Sequence, residues 1–280
     1  MNRKRMMIIG AILLIVGGTS AYGIWQVEKP GGLVWQDGFK YKQLGKISQY
    51  DYSSHLPADS ATIRNMSIRV ENCDVTITKG TAFRVTATKY ASKVLEKLVS
   101  VTFKDGTLSI EENRDQEGTV VFGVNNFSQK INIEIPEDSQ LATVEAKNKS
   151  GDLKVKNLKQ VDSLVASSDN GAIKFENIAA KYAKLSSENG DISIKYTSFD
   201  RLSANNLNGN IEFKKSHISN GGDISNQNGD IKLDKTALPT FYAATLNGDK
   251  EIKRSQASNE ISKAAAALHI LNHNGDIEID

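Results

Sequence analysis

The sequence predicts an all-β chain wound as a single-stranded parallel β-solenoid, about 19–20 residues per coil, behind an N-terminal transmembrane helix. Three observations carry the solenoid: a glycine-centred phrase that returns seven times, strict apolar alternation on both sides of it, and a small polar residue at one fixed offset. The phrase is clearest in Asn189-Gly190-Asp191-Ile192-Ser193-Ile194 and Asn228-Gly229-Asp230-Ile231-Lys232-Leu233. Its turn glycines are Gly151, Gly171, Gly190, Gly209, Gly229, Gly248 and Gly275, at intervals of 20, 19, 19, 20, 19 and 27 residues. Such a period marks stacked units, none of which can bury its apolar face alone.

Residues 1–27 stand apart from the fold. Arg3, Lys4 and Arg5 precede an uncharged stretch over 6–25, close to the ~20 residues a helix needs to span ~30 Å of hydrocarbon. The basic flank belongs on the cytoplasmic side, with Tyr22 and Trp25 at the outer interface. The competing reading is a cleaved signal peptide, with Gly17-Gly18-Thr19-Ser20-Ala21 as its small-residue segment. Either way the remainder is expected outside the cytoplasm.

Residues 28–58 show no period and crowd together Trp35, Phe39, Tyr41, Tyr50 and Tyr52, which reads as a juxtamembrane linker. The β domain runs over 59–280, with irregular early coils at 59–140 and regular repeats at 141–280. Among the early coils, Met66 and Ile68 precede Cys73, and Val75 and Ile77 follow, so cysteine stands where the glycine is expected. A second copy is expected around Gly106, with Val99 and Val101 before it and Leu108 and Ile110 after. Ile131, Ile133 and Ile135 predict a further strand.

In the regular repeats the residue seven before the glycine is Val144, Leu164, Ala183, Leu202, Gly222, Phe241 or Leu268. Five before it stand Ala146, Ala166, Leu185, Ala204, Ile224, Ala243 and Ile270; two and four after it are apolar, broken only by Lys250. Period-two alternation means half-buried strands. A meander of hairpins and a solenoid both fit an Asn-Gly turn. The position three before the glycine favours the solenoid: Asn148, Ser168, Ser187, Asn206, Asn226, Thr245 and Asn272 are all small and polar, and stacking predicts that they bond to one another. The chain's last five residues are expected to form the final rung, charged by Asp276, Glu278 and Asp280, with 254–267 folding over that end as a lid.

Thirty-five basic against 33 acidic residues give a net charge of +2, so nothing attracts the chain to nucleic acid in bulk. One cysteine excludes an intrachain disulfide framework, and four scattered histidines (His55, His217, His269, His273) offer no metal-ligand spacing. After each glycine comes Asp152, Ala172, Asp191, Asn210, Asp230, Asp249 or Asp276, which solvated turns favour. No metal is expected; a cation ladder would have only Asp230, Asp249 and Asp276 as an uninterrupted run. The outward stripes mix signs: Lys154, Lys174, Ser193, Glu212, Lys232, Glu251, Glu278 three after the glycine, and Lys156, Glu176, Lys195, Lys214, Asp234, Lys253, Asp280 five after it. That is a solvated face rather than convergent catalytic groups.

The basic start with its apolar helix, the Asn-Gly-Asp-Ile coils and the nineteen-residue rhythm together resemble the putative-adhesin family of envelope proteins, whose members include LiaG-like proteins. The resemblance covers about 60–280. It implies a right-handed solenoid on the outer side of a membrane, associated with envelope stress or adhesion, and brings no catalytic residues. The expectation is therefore a non-enzymatic, membrane-anchored module without cofactor, monomeric outside the membrane, that binds or senses an envelope glycan or surface protein. A carbohydrate-active enzyme on the same scaffold, or a structural spacer, are the alternatives.

Overall fold

Alternation and glycine spacing become two parallel sheets in the computed structural model, which describes residues 31–35, 39–43, 47–57, 59, 62–90, 99–113, 120–122, 129–137, 139–253 and 257–280. The expected anchor at 1–27 lies outside the described residues. Among those described, no helix is long and apolar enough to cross a membrane.

The chain divides into two compact units. In the smaller, Gly31–Trp35 pairs antiparallel with Phe39–Gln43 and with Val120–Phe122, so the stretch read as a linker contributes strands. The larger unit begins at Gln49 and holds two sheets of 11 strands each.

One sheet collects the strands before each glycine: Asn65–Val70, Thr143–Ser150, Val161–Asn170, Ala179–Asn189, Ser198–Asn208, Gly222–Asn228, Phe241–Asn247 and Leu268–Asn274. The other collects the shorter strands after it: Cys73–Gly80, Leu153–Lys156, Ile173–Glu176, Ile192–Lys195, Ile211–Lys214, Ile231–Asp234, Lys250–Ile252 and Ile277–Ile279. Each glycine with its two strands is one rung. Equivalent residues stack in register and in parallel, Ile192 on Ile211 and Ile194 on Phe213, which is a solenoid and not a meander. Because side chains alternate at period two, each rung sends the same positions inward. Ile192, Ile194, Ile211, Phe213, Ile231 and Leu233 are all 0% exposed.

The Cys73 copy is a true rung: Met66 and Ile68 lie beside Val144 and Ala146, and Val75 and Ile77 beside Leu153 and Val155. The expected coil around Gly106 is not one. Val99–Lys104 and Thr107–Glu112 form an antiparallel hairpin. Asp105 (φ +50°) and Gly106 (φ +73°) make the two-residue turn that an Asp-Gly pair supports between alternating strands. Thr107–Glu112 then lies parallel to Asn65–Val70. Gln129–Pro136, the strand expected from Ile131, Ile133 and Ile135, lies parallel to Cys73–Gly80 and antiparallel to Arg84–Tyr90. The stack thus begins with antiparallel strands that close its first end.

At the other end the order of rungs departs from the order of the chain. Leu268–Asn274 lies between Gly222–Asn228 and Phe241–Asn247, and Ile277–Ile279 between Ile231–Asp234 and Lys250–Ile252. The last rung in sequence is therefore the penultimate one in space, which corrects the expectation that Asp276 to Asp280 form the open end. The open end is the Gly248 rung. The long interval makes this possible: Asn259 and Ile261 bond to Phe241 at the outer edge, and Ala267 then bonds to Thr240 as the chain turns back into the slot. A lid over the end does exist at 257–261, but it covers the Gly248 rung.

Candidate functional site

Three ladders run along the glycine corner and explain its residue types. A Cβ on each turn glycine would strike the corner carbonyl of the neighbouring rung, that of Cys73 for Gly151 (2.5 Å) and of a glycine for the others, at 2.1 Å for Gly171 against Gly151 and 2.5 Å for Gly209 against Gly190. Gly209 (φ +133°) and Gly229 (φ +123°) also hold backbone conformations that side chains resist. Contrary to the expectation from sequence, the small polar residues three before the glycine do not bond to one another; apart from Asn206, whose amide is buried without a bond among the described residues, they donate to that same carbonyl. Asn226 Nδ2 reaches Gly209 O at 2.9 Å, Asn272 Nδ2 reaches Gly229 O at 2.9 Å and Thr245 Oγ1 reaches Gly275 O at 2.9 Å. The side-chain ladder lies one residue before the glycine, where Nδ2 of Asn189, Asn208, Asn228, Asn274 and Asn247 each donate to the Oδ1 of the asparagine in the adjoining rung, at 2.8 to 3.1 Å.

The candidate cation run is used for the same purpose. In space the order is Asp230, Asp276, Asp249; Asp230 Oδ1 accepts the Asp276 amide at 2.9 Å, and Asp276 Oδ1 accepts the Asp249 amide at 2.8 Å. Among the described residues no group of three or more His, Cys, Asp or Glu is placed to hold a metal ion. Cys73 is fully buried at the first corner, its Sγ 3.4 Å from Gln129 Oε1. His269 lies between Asp223 Oδ1 (3.4 Å) and Lys263 O (3.0 Å). The mixed-sign stripes resolve into ion pairs between adjacent rungs: Lys156 with Glu176, Lys232 with Glu278 (2.6 Å) and Lys253 with Asp280 (2.5 Å).

Sequence alignment on the glycine missed a third side of the coil, lying farther from it. Six residues after the glycine the backbone turns left-handed at Asn157, Asn177, Tyr196, Lys215 and Lys235 (φ between +48° and +56°). The next residue is buried, apolar at Leu158 and Ile178 but polar at Thr197, Ser216 and Thr236. Thr197 Oγ1 turns back to Lys195 O at 2.9 Å, which satisfies it inside the core. Ten before the glycine stand Leu141, Val161, Ala180 and Phe199, all buried. Only a register carried past eight residues would have found these columns.

That third side holds an open groove of about 500 Å³ that runs along the stack. Leu141, Ala142, Val161, Ala179 and Ala180 make its apolar floor, and Arg64, Gln140, Gln160, Asp162, Lys181, Ser198 and Asp200 its polar walls. It exists because the floor is small: Ala180 stacks between Val161 and Phe199, leaving space where a larger side chain would project. Along one wall Asp162, Lys181 and Asp200 follow on successive rungs. Lys181 Nζ lies 2.7 Å from Asp162 Oδ1. That hydrogen bond, with the charges of Asp162 and Asp200 adding to it, holds the Lys181 ammonium above its ordinary pKa. The groove therefore offers donors and acceptors in alternation over an apolar strip, an arrangement suited to an extended polar chain.

No curated protein matches the chain. Among solved structures, a protein from Bacteroides fragilis described as a putative adhesin is similar with a TM-score of 0.53 and 18% identity, over 84% of this chain and 97% of that one. A cell adhesion protein from Clostridium sporogenes (TM-score 0.35, 12% identity, 84% and 99% covered) and a lipid binding protein from Parabacteroides distasonis (TM-score 0.45, 15% identity, 84% and 98% covered), both described as putative, are more distant in shape. A family model described as Toastrack DUF4097 matches residues 63–280, a span that contains every rung and both ladders of asparagine and glycine. The chain belongs to the Toastrack DUF4097 family.

Proposed function

We propose that the larger unit is a non-enzymatic, monomeric binding module of the cell envelope, wound right-handed, held outside the membrane by the apolar segment at 6–25, and that its side groove takes an extended envelope glycan. The observation that carries this reading is the groove itself: from Arg64 on the Cys73 rung to Asp200 on the Gly209 rung it spans five successive rungs, which at ~4.8 Å each is the scale of a short run of sugar units. Hydroxyl groups both donate and accept, so alternating carboxylate and ammonium walls suit them better than a wall of one sign would. Asp162 and Asp200 are separated by Lys181, and Asp162 already accepts a bond from it, so the wall is built for binding rather than for an acid and base facing one bond. The fold likeness to a protein described as an adhesin supports this reading at the level of the scaffold.

The test is co-sedimentation of the full chain in vesicles with purified cell-wall glycan, beside Lys181→Glu and Asp200→Lys. Both side chains are exposed, so the unfolding midpoint should hold while binding falls by about tenfold, the effect of removing one or two charge-assisted bonds. Undiminished binding by both variants would refute the groove as the site. Labelling of a cysteine introduced at Glu212 from outside intact cells tests the location.

A further inference from the structure

The asparagine ladder is also a row of Asn-Gly peptide bonds, the dipeptide in which a backbone amide most readily attacks a side chain, because glycine has no Cβ to shield its nitrogen. Six such pairs lie on the corner: Asn170-Gly171, Asn189-Gly190, Asn208-Gly209, Asn228-Gly229, Asn274-Gly275 and Asn247-Gly248. In five of them the glycine nitrogen is already bonded: Gly171, Gly190, Gly209, Gly229 and Gly275 donate to Asn189 O, Asn208 O, Asn228 O, Asn274 O and Asn247 O at 2.9 to 3.0 Å. Attack there would first require a hydrogen bond between rungs to break. Gly248 is on the outermost rung, and among the described residues nothing accepts from its nitrogen. Asn247 and Gly248 are both exposed.

We infer that Asn247 is a site of spontaneous deamidation, selected from six chemically equal positions by the reversed order of the last two rungs. The Gly248 nitrogen gives up its proton and forms a bond to Asn247 Cγ; Nδ2 leaves as ammonia, closing a succinimide. Water then opens the ring at either carbonyl, giving aspartate or isoaspartate, with no oxidant or cofactor required. The product alters the end of the stack. Asn247 Nδ2 now donates to Asn274 Oδ1 at 2.9 Å. A carboxylate in its place opposes an acceptor with an acceptor, beside Asp249 and Asp276, and isoaspartate adds a backbone atom to a corner too tight for a Cβ, where Gly248 would meet Gly275 O at 2.1 Å. Deamidation therefore loosens the Gly248 rung and uncovers Ile277 and Ile279 beneath it. A seventh pair, Asn220-Gly221, lies off the ladder; nothing among the described residues accepts from its glycine nitrogen either, but unlike Gly248 that glycine is buried, and the peptide is clamped on both sides, Asn220 N donating to Asp200 O at 2.8 Å and Gly221 O accepting from Leu202 N at 3.1 Å.

The experiment ages the full chain at mildly alkaline pH, folded and in denaturant, and follows all seven pairs by peptide mass mapping with isoaspartate-specific methylation. In denaturant the seven should convert at similar rates. In the folded chain Asn247 should outpace each of the others by about tenfold or more, since each of those requires a local opening first. Any other Asn-Gly pair converting as fast as Asn247 in the folded chain overturns the assignment, as does suppression of Asn247 by folding to the degree seen at Asn208. Asn247→Asp, which carries the product without ageing, should raise amide exchange over Ile277–Ile279; unchanged exchange overturns the loosening.

Discussion

At the centre of the stack Ile211 and Phe213 lie between a rung on each side, fully buried, whereas at the Gly248 rung the same two positions are Lys250 and Ile252, with a neighbour on one side only. Lys250 Nζ reaches Glu260 Oε1 at 2.6 Å and Ala243 O at 3.3 Å. Had the rungs followed chain order, Lys250 would sit between Ile231 and Ile277, and Ile277 and Ile279 would form the open edge. Burying an unpaired ammonium costs several kcal/mol, and each exposed isoleucine forgoes about 1.5–3 kcal/mol. Both effects favour the exchanged order. What a position requires is set by its place in the stack, and its place in the chain is a guide to that only while the two orders agree.

The largest way to sharpen the contrast is at the corner. Gly209→Val would put a branched side chain where even a Cβ lies 2.5 Å from Gly190 O, in a backbone of φ +133°. We expect a loss of about 4 kcal/mol or more, or no folding, because rungs on both sides prevent relief. Gly248→Val meets a closer contact, 2.1 Å from Gly275 O, but its rung can lift away from the stack, so its cost should be the smaller. Glu212→Val, on the outward face, should stay within about 0.5 kcal/mol. Chemical denaturation of the three variants gives the order, and equal costs for Gly209→Val and Glu212→Val would make the glycines incidental.

Next in size is the core. Phe213→Ala should cost about 3–5 kcal/mol through lost burial and an unfilled cavity between two rungs. Ile252→Ala, at a partly buried position on the outermost rung, should cost less than about 1.5 kcal/mol. An unfolding midpoint that barely moves for Phe213→Ala would remove the basis for a shared core.

Smaller in stability but visible in association is Lys250→Ile. An inward-facing charge on an edge strand discourages pairing with another chain. The variant restores the repeat and removes the bonds to Glu260 and Ala243, leaving a flat apolar edge. Light scattering should show end-to-end association that grows with concentration, where the parent stays monodisperse. A monodisperse variant would mean that the 257–261 segment alone blocks the end.

These contrasts also show what was legible in sequence. The interior rungs were, down to the cysteine that replaces glycine at position 73, because identical neighbours impose identical needs and the period repeats them. The reversed ending was not, although both of its signs were visible: Lys250 breaking an apolar column, and an interval of 27 residues where 19 suffice. Each makes sense only once an edge is defined. The hairpin at Asp105-Gly106 was misread because a turn glycine between alternating strands looks the same whether the strands pair with each other or with different rungs. The groove escaped because its floor lies ten residues from the glycine, across a left-handed corner that Tyr196, Lys215 and Lys235 occupy without any sequence preference for it.

The smallest expected effect is an acid limb from a single interior carboxylate. Partial burial pushes the Asp152 carboxyl up, but the hydrogen bond from Lys174, the Ala172 amide and the nearby charges of Lys174 and Lys154 together outweigh burial and leave its pKa below the ordinary value. A carboxylate with a lowered folded pKa adds stability that is present above the unfolded value, ~3.9, and is lost as pH falls through the lower folded value. Asp152→Asn keeps an Oδ1 for the Ala172 amide and removes only the ion pair. The variant should therefore be slightly less stable than the parent at neutral pH, and the gap should close below pH ~4, where the parent's carboxyl takes up its proton. Half of this side chain is near solvent, so the gap should be small and should shrink further in high salt. Parallel denaturation curves for the parent and Asp152→Asn across pH 2–7 decide it, and a gap that persists unchanged at the acid end would show that the carboxylate charge does not contribute.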